Sequence, residues 1–164
     1  MQVRLLPGAL YPYMANFNKK IFGLIILVLV FTGISYTQLS GSGTKKKKSI
    51  YFKNNSFLVQ VAETKQQQEK GLMFVRSLPP NSGMLFIYKD EAVRYFYMKN
   101  TYIPLDIIWM DKGKKVVFIK KNAQPENLDV YETIQPQEEA MYVLELNAGS
   151  LDRIGLRIND TLRF

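Results

Sequence analysis

Between Arg94 and Asp106 the chain gathers the residues best suited to recognise a ligand: Arg94, then Lys99-Asn100-Thr101, then Asp106, with Pro104 just before the acid. Arg76 stands upstream, in the same apolar stretch that runs from Gly71 to Asp111. Guanidinium forks suit a carboxylate or a phosphate. Lys, Asn and Asp brought to one strand end could hold a small anionic or hydroxylated ligand, and loops on a rigid β scaffold are the usual place for such sites. The candidate binding residues are therefore Arg76, Arg94, Lys99, Asn100, Thr101 and Asp106. The density of the cluster predicts that Arg94, Lys99, Asn100 and Asp106 converge on one concave region, with Arg94 or Lys99 in salt-bridge reach of Asp106. Turn chemistry competes with this reading. Asn and Thr side chains bond the local backbone, Pro104 bends the chain, and Asp106 can accept backbone N–H groups. Turn chemistry by itself accounts for Asn, Thr and Pro, so the weight falls on structure over binding. Arg76 and Arg94 divide evenly between ligand forks and internal pairs with Glu145 or Asp106.

The chain has no Cys and no His. That removes disulfides, thiolate nucleophiles, Cys-type zinc sites and any Ser-His-Asp triad. Catalysis would fall to carboxylates, Lys, Tyr or Ser-Lys pairs. No Walker loop, GxGxxG or DxDxDG motif is present, so no cofactor and no metal site is expected. Glu145 interrupts an apolar strand, YVLEL. Alternation puts it on the face of Val143 and Asn147, toward solvent; buried, it would need a cation such as Arg76 or Arg94. Phe86, Tyr95, Phe96, Tyr97, Tyr102 and Trp109 could stack on a sugar, but aromatics more often fill small β cores. Met73, Met84, Met98 and Met110 read as gap fillers rather than copper ligands.

The elements that must position these residues are short. FLVQVA (57–62) alternates as a strand. Thr64 and Gln67 form a capping box for a short helix through TKQQQEKGLM, with Gly71 as its stop. MLFIY (84–88) and RYFYM (94–98) read as two strands separated by Lys89-Asp90-Glu91. IIWM (107–110) and VVFIKK (116–121) flank a hairpin turn at Lys112-Gly113. Residues 122–138 form a polar loop, MYVLEL (141–146) a strand, and Gly149 to Ile154 one helical turn with Ser150 as cap and Gly155 as stop. TLRF (161–164) closes the chain as a strand. Strands at this spacing predict an α+β, β-rich fold: a compact mixed β barrel with two short helices, after an N-terminal apolar helix.

Several motifs together resemble a known family, the domain-of-unknown-function family 192. They are Gly71-Leu72-Met73 with Arg76, the GMLF strand from Gly83, the run from Arg94 through MKNT to Ile103-Pro104-Leu105-Asp106-Ile107, and YVLE ending at Glu145. Tyr97 stands where many members carry Trp. The resemblance covers residues ~57–164 and implies the domain without an activity. The ending GLRINDTLRF resembles the turn-and-strand "GD box" of cradle-loop barrels, with Asn159 in place of its Gly.

The formal charge is +8, from 22 basic and 14 acidic residues. Residues 1–49 hold seven of the basic residues and no acid; residues 50–164 hold the other 15 and all 14 acids, leaving +1. A nearly neutral domain lacks the electrostatic footprint of a nucleic-acid binder. Residues 21–34, IFGLIILVLVFTGI, follow Lys19-Lys20 and carry no charge, the layout of a signal peptide or signal anchor. At ~1.5 Å per residue the run is short for a ~30 Å hydrocarbon core. Met14 offers an alternative start. Residues 1–49 thus read as a leader, with the apolar signal at 19–36 and a Gly/Ser/Lys spacer at 40–49, and 50–164 as the domain. The reading is an exported or membrane-tethered accessory domain, outside the cytoplasm and attached to the membrane through residues 21–36. Around Lys99 to Asp106 it binds a small molecule or a protein partner, and it binds no nucleic acid. The alternatives are a carboxylate enzyme acting on a wall or glycan polymer, which a second carboxylate facing Asp106 would favour, and a purely structural module.

Overall fold

The structure, a computed structural model, describes residues 46–125 and 133–164. The apolar segment at 21–36 and the middle of the 122–138 loop lie outside the described residues. No helix among the described residues is long and apolar enough to cross a membrane.

The architecture is β-rich α+β. Strands β1 (Lys47–Phe52), β2 (Asn55–Ala62), β3 (Ser82–Val93), β4 (Leu105–Met110), β5 (Val116–Ala123) and β6 (Glu139–Asn147) form one sheet in the order β1-β2-β3-β6-β4-β5. Among the described strands only β2 and β3 pair in parallel, and the connection between them carries helix α1 (Lys65–Lys70), as a parallel crossover usually does. Helix α2 (Ser150–Ile154) follows β6. The sheet begins earlier than the sequence suggested: Lys47, Lys48 and Ser49, read as spacer, pair with Gln60, Val59 and Leu58. Backbone pairing holds them there, while Ile50 and Phe52 of the same strand are buried.

Alternation along the strands loads both faces of the sheet. One face buries Ile50, Val59, Leu85, Ile108 and Leu144 under Leu151 and Ile154 of α2 and under Leu156 and Leu162. The other buries Met84, Phe86, Ile107, Trp109 and Val143 under Leu72, Phe96 and Met98, which come from connections rather than from a helix. On this second face Phe86, Phe96, Trp109 and Phe118 meet edge to face in sequence, with centroids 5.0 to 5.4 Å apart. Such pairs add to the stabilisation that burial itself provides.

The expected closed barrel does not form. β1 and β5 end the sheet, and the C-terminal residues meet each edge by a single bridge, Arg163 with Tyr51 and Thr161 with Lys115. Four residues are too few to build a ladder against both edges. RYFYM is likewise not a strand: β3 runs on through Lys89-Asp90-Glu91 to Val93, and among the described residues the segment after it makes one bridge, Phe96 with Ile134. Its alternating pattern instead sends Phe96 and Met98 into the core and leaves Tyr95 and Tyr97 exposed.

The local signals at α1 hold. Thr64 Oγ1 accepts from the Gln67 N–H, the Gln67 side chain accepts from the Thr64 N–H, and Gly71 ends the helix at φ 46°. Ser150 does not cap α2. Gly149 takes the cap position without a side-chain bond, Ser150 is the first helical residue and is buried, and Gly155 ends the turn in the left-handed region.

Candidate functional site

Glu145 lies on central strand β6, opposite Met84 of β3 and Ile107 of β4. These partners place its side chain on the face covered by connections. It is 6% exposed, and its Oε2 has no hydrogen-bond partner among the described residues. A carboxylate removed from water without a compensating charge is strongly disfavoured. Burial accordingly raises its pKa from 4.5 to about 8, so it is held protonated at neutral pH. The solvent-facing orientation expected from alternation fails because Leu72, Phe96 and Met98 fold over Val143 and its neighbours and make this a second core face.

Above the carboxyl is a cavity of about 80 Å³. Tyr88, Phe86 and Phe96 form its walls, Tyr95 and Tyr97 its rim, and Thr101 and Met73 complete the lining with the end of α1, Gln68 to Leu72. The local sequence explains how these segments are held. The Gln68 Nε2 donates to the Ile87 carbonyl at 2.8 Å, fixing α1 against β3. The Trp109 Nε1 donates to the Arg94 carbonyl at 2.8 Å, fixing the start of the aromatic segment. Phe74 and Asn100 both adopt left-handed backbone, φ 65° and 54°. The Phe74 N–H donates to the Asn100 carbonyl at 2.8 Å, which joins the two turns. Left-handed backbone is ordinary for Asn but costly for Phe. Phe74 is also 58% exposed, and its ring meets Tyr102 edge to face.

The six residues proposed from sequence separate into three places. Arg76, Asn100 and Thr101 share the loop surface: the Arg76 guanidinium lies 5.3 Å from the Tyr102 ring centre, Asn100 makes the turn, and Thr101 is buried and lines the cavity. Lys99 is exposed on the same turn, where its carbonyl accepts from Thr101 Oγ1. Arg94 lies beside the cavity wall, its guanidinium 4.0 Å from the Tyr88 ring centre, and pairs with Asp90 at 2.8 Å. Burial raises the Tyr88 hydroxyl to about 12, with Arg94 opposing the shift and Glu145 adding to it.

Asp106 stands apart from the others. It is 1% exposed and accepts the Asn122 N–H on Oδ1 and the Leu151 N–H on Oδ2, both at 2.9 Å. It therefore holds β5 and the first turn of α2, the work expected of Ser150. Among the described residues neither Arg94 nor Lys99 pairs with it, so the proposed convergence on Asp106 does not occur. Asp106 and Glu145 also lie on opposite faces of the sheet, so they are not the facing pair of carboxylates that a glycan hydrolase needs. Among the described residues no group of three acidic side chains is placed to hold a metal ion.

Glu145, a cavity residue, is not among the six proposed from sequence. The signal was its position: one acid between Leu144 and Leu146 in a strand otherwise built for burial, within a motif already noted.

Comparison with known proteins agrees with this geometry at the level of the domain. Two crystal structures share the fold. One, from Sinorhizobium meliloti 1021, is provisionally described as a transcription regulator; it is 32% identical, with a TM-score of 0.67 over 73% of this chain and 94% of its own. The other, a protein of unknown function from Novosphingobium aromaticivorans DSM 12444, is 29% identical, with a TM-score of 0.63 over 72% of this chain and 84% of its own. No curated protein matches the chain. The sequence profile of DUF192, described as an uncharacterized ACR, matches residues 48–164, and the chain belongs to that family.

Proposed function

We propose that the domain binds a small ligand in the cavity over Glu145, and that it does so as part of an exported or membrane-tethered protein. The observation that carries the ligand reading is the unpartnered Oε2 of Glu145 at the base of an aromatic-walled cavity. Native folds rarely leave a buried polar atom without a partner, so each one calls for a group that meets it. Concave sites with apolar walls and one or two polar anchors are the usual form of small-molecule pockets. The loop through Lys99 to Thr101 contributes as a wall, through Thr101, while Asp106 serves the scaffold.

The test uses full-length protein and a panel of small metabolites, with melting temperature as the readout, since a ligand that binds only the folded state stabilises it. At least one compound should raise the melting temperature of the native protein and fail to do so for Glu145→Gln. If every effective compound acts equally on Glu145→Gln, the ligand seat lies elsewhere.

Export or tethering rests on the uncharged 21–34 run behind Lys19-Lys20. Cell fractionation should recover the protein with membranes or outside the cell; a wholly cytosolic pool would refute it. The description of one structural neighbour as a transcription regulator raises DNA as a ligand. The +1 balance of residues 50–164 speaks against it.

A further inference from the structure

We infer that the ligand class of the Glu145 cavity is a small organic cation, an alkylammonium or trimethylammonium head group, for which Glu145 is the counter-ion and the surrounding tyrosines are the cage. This inference rests on the proposal that the cavity is a ligand seat. Four observations carry it.

The first is that, among the described residues, Glu145 pairs with no cation although two arginines were available by sequence. Arg76 is committed to the Tyr102 ring, and Arg94 to Asp90, to the Ala140 carbonyl and to the Tyr88 ring. A buried carboxyl of this kind can ionise only with a positive charge beside it.

The second is the wall chemistry. Tyr88, Tyr95, Phe96 and Tyr97 line the same space. Aromatic faces attract cations, and quaternary ammonium groups are commonly held in such cages. Arg94 at 4.0 Å from Tyr88 shows that this wall already draws one cation.

The third is size. A cavity of about 80 Å³ exceeds the ~10–15 Å³ needed for one water. With Glu145 as its one deeply buried acid, the space suits a compact head group rather than a sugar ring, whose several hydroxyls each need a partner.

The fourth is the charge setting. Glu145 is met from β3 by Met84 and Tyr88 and from β4 by Ile107. From the end of α1 come Glu69 and Lys70, and from the aromatic segment Tyr95 and Tyr97. Lys70 is exposed to water, and Glu69 lies 3.7 Å from Lys65. Among the described residues no fixed cation pairs with the carboxyl, and the position suits one from a ligand.

Protonation gives the inference a signature. The free site holds Glu145 protonated up to about pH 8. A cation must displace that proton, so its affinity should rise about tenfold per pH unit below 8 and level off above it. Tetramethylammonium is the clean probe because its charge is fixed. The readout is fluorescence of Trp109, the one tryptophan of the chain, whose ring contacts the cavity residue Phe96 at 5.4 Å. Full-length protein is titrated between pH 6 and 9 with tetramethylammonium, choline, butylammonium and 3,3-dimethylbutanol, the neutral isostere of choline.

The expected result is binding of the cations at least tenfold tighter than of the alcohol at pH 8, with the stated rise. Glu145→Gln should abolish both the preference and the rise, and Tyr95→Leu, at an exposed position, should weaken every cation about tenfold or less without altering the pH profile. Should Glu145→Gln fail to fold, the pH profile and Tyr95→Leu carry the test. If the alcohol binds as well as choline, or cation affinity is flat with pH, the cation assignment is wrong while the cavity remains a ligand seat. If Glu145 titrates near its ordinary 4.5 in the free protein, Arg94 has turned in to neutralise it, and the assignment also falls. If no probe binds at high millimolar concentration and the metabolite panel also gives no Glu145-dependent shift, both the assignment and the ligand seat are lost.

Discussion

Asp106 and Glu145 stand on adjacent strands, one register step apart, with Ile107 opposite Glu145 and Leu146 opposite Asp106. Both are buried acids in apolar strands, yet their circumstances are opposite. Asp106 faces α2 and receives two backbone N–H groups. Glu145 faces the connections and leaves an oxygen without a partner. Hydrogen bonds to the charged form lower the cost of burying a carboxylate, and their absence leaves the full desolvation penalty in place. The pair separates two uses of a buried acid in one sheet: a clamp for the backbone on one face, and an open position for a ligand on the other.

The sharpest way to break the comparison is stability against pH. Glu145 titrates near 4.5 when unfolded and near 8 when folded. Between those values the folded state keeps a proton that the unfolded state has released. Stability contributed by this group is therefore fully present below about pH 4.5, falls as pH rises through the window, and is lost above about pH 8. At about 1.4 kcal/mol per pH unit the span is on the order of 5 kcal/mol. Other groups titrate as well, so the measurement is the difference between native protein and Glu145→Gln by denaturant unfolding from pH 4 to 9. Glu145→Gln should gain on the native protein steadily from pH 5 to 8. Parallel curves would mean that the carboxyl is paired or hydrated in solution.

The second test acts on Asp106. Asp106→Ala removes the acceptor from two amides, one of them the buried Leu151 N–H, and should cost about 3 kcal/mol at neutral pH. It should leave binding at the Glu145 cavity unchanged, because that cavity opens on the other face. Loss of ligand binding in a still-folded Asp106→Ala protein would join the two acids into one site and undo the distinction drawn between them.

A third test acts on the backbone between them. Gly83 of β3 lies so close to β6 that an added Cβ would stand 2.1 Å from the Glu145 carbonyl oxygen and 2.8 Å from Leu146. Gly83→Ala must push β3 away from β6, and a cost of ~1–3 kcal/mol is expected from overcrowding of this kind. Since the shift occurs beside Glu145, it should also admit water and move the carboxyl pKa down from about 8. The carboxyl signal of Glu145 followed by NMR against pH checks this; an unchanged pKa in a destabilised variant would show that strand spacing does not control hydration of the cavity.

Much of this was legible in the sequence, for reasons that can be located. The capping box at Thr64 and Gln67, the stop at Gly71 and the hairpin at Lys112-Gly113 depend on residues within a few positions of each other, and all three are present as read. The family motifs, spread over the whole domain, identified it. What failed depends on distant packing. RYFYM alternates like a strand, but both sides of β6 are taken, by β3 and β4, and among the described residues the segment makes only the bridge of Phe96 with Ile134. TLRF has two edges to satisfy and too few residues to extend either. The cap of α2 comes from Asp106, 45 positions away from Leu151. Glu145 was placed toward solvent because alternation names a face without saying what covers it, and here the cover is supplied by connections that carry no periodic signal.

The smallest effect concerns those connections. Helix α2 and the C-terminal residues cover the Asp106 face, whereas the cover of the Glu145 face includes two left-handed residues, Phe74 and Asn100, tied by one backbone hydrogen bond. Asn tolerates that conformation; Phe does not, and the penalty for a side chain with Cβ is about 1–2 kcal/mol. Two replacements separate strain from contact. Phe74→Ala removes the ring and its edge contact with Tyr102 while keeping the strain. Phe74→Gly removes the ring and the strain together, but loses about 0.5–1 kcal/mol to the greater freedom of glycine in the unfolded chain. The glycine variant should therefore unfold at the same denaturant concentration as the alanine variant or at a slightly higher one, a net gain of up to about 1.5 kcal/mol. A glycine variant clearly less stable than the alanine variant would mean that Phe74 relaxes out of the left-handed region in solution. The turn joining 71–76 to 98–101 would then owe its shape to the Phe74–Tyr102 contact rather than to a backbone held under strain at the mouth of the cavity.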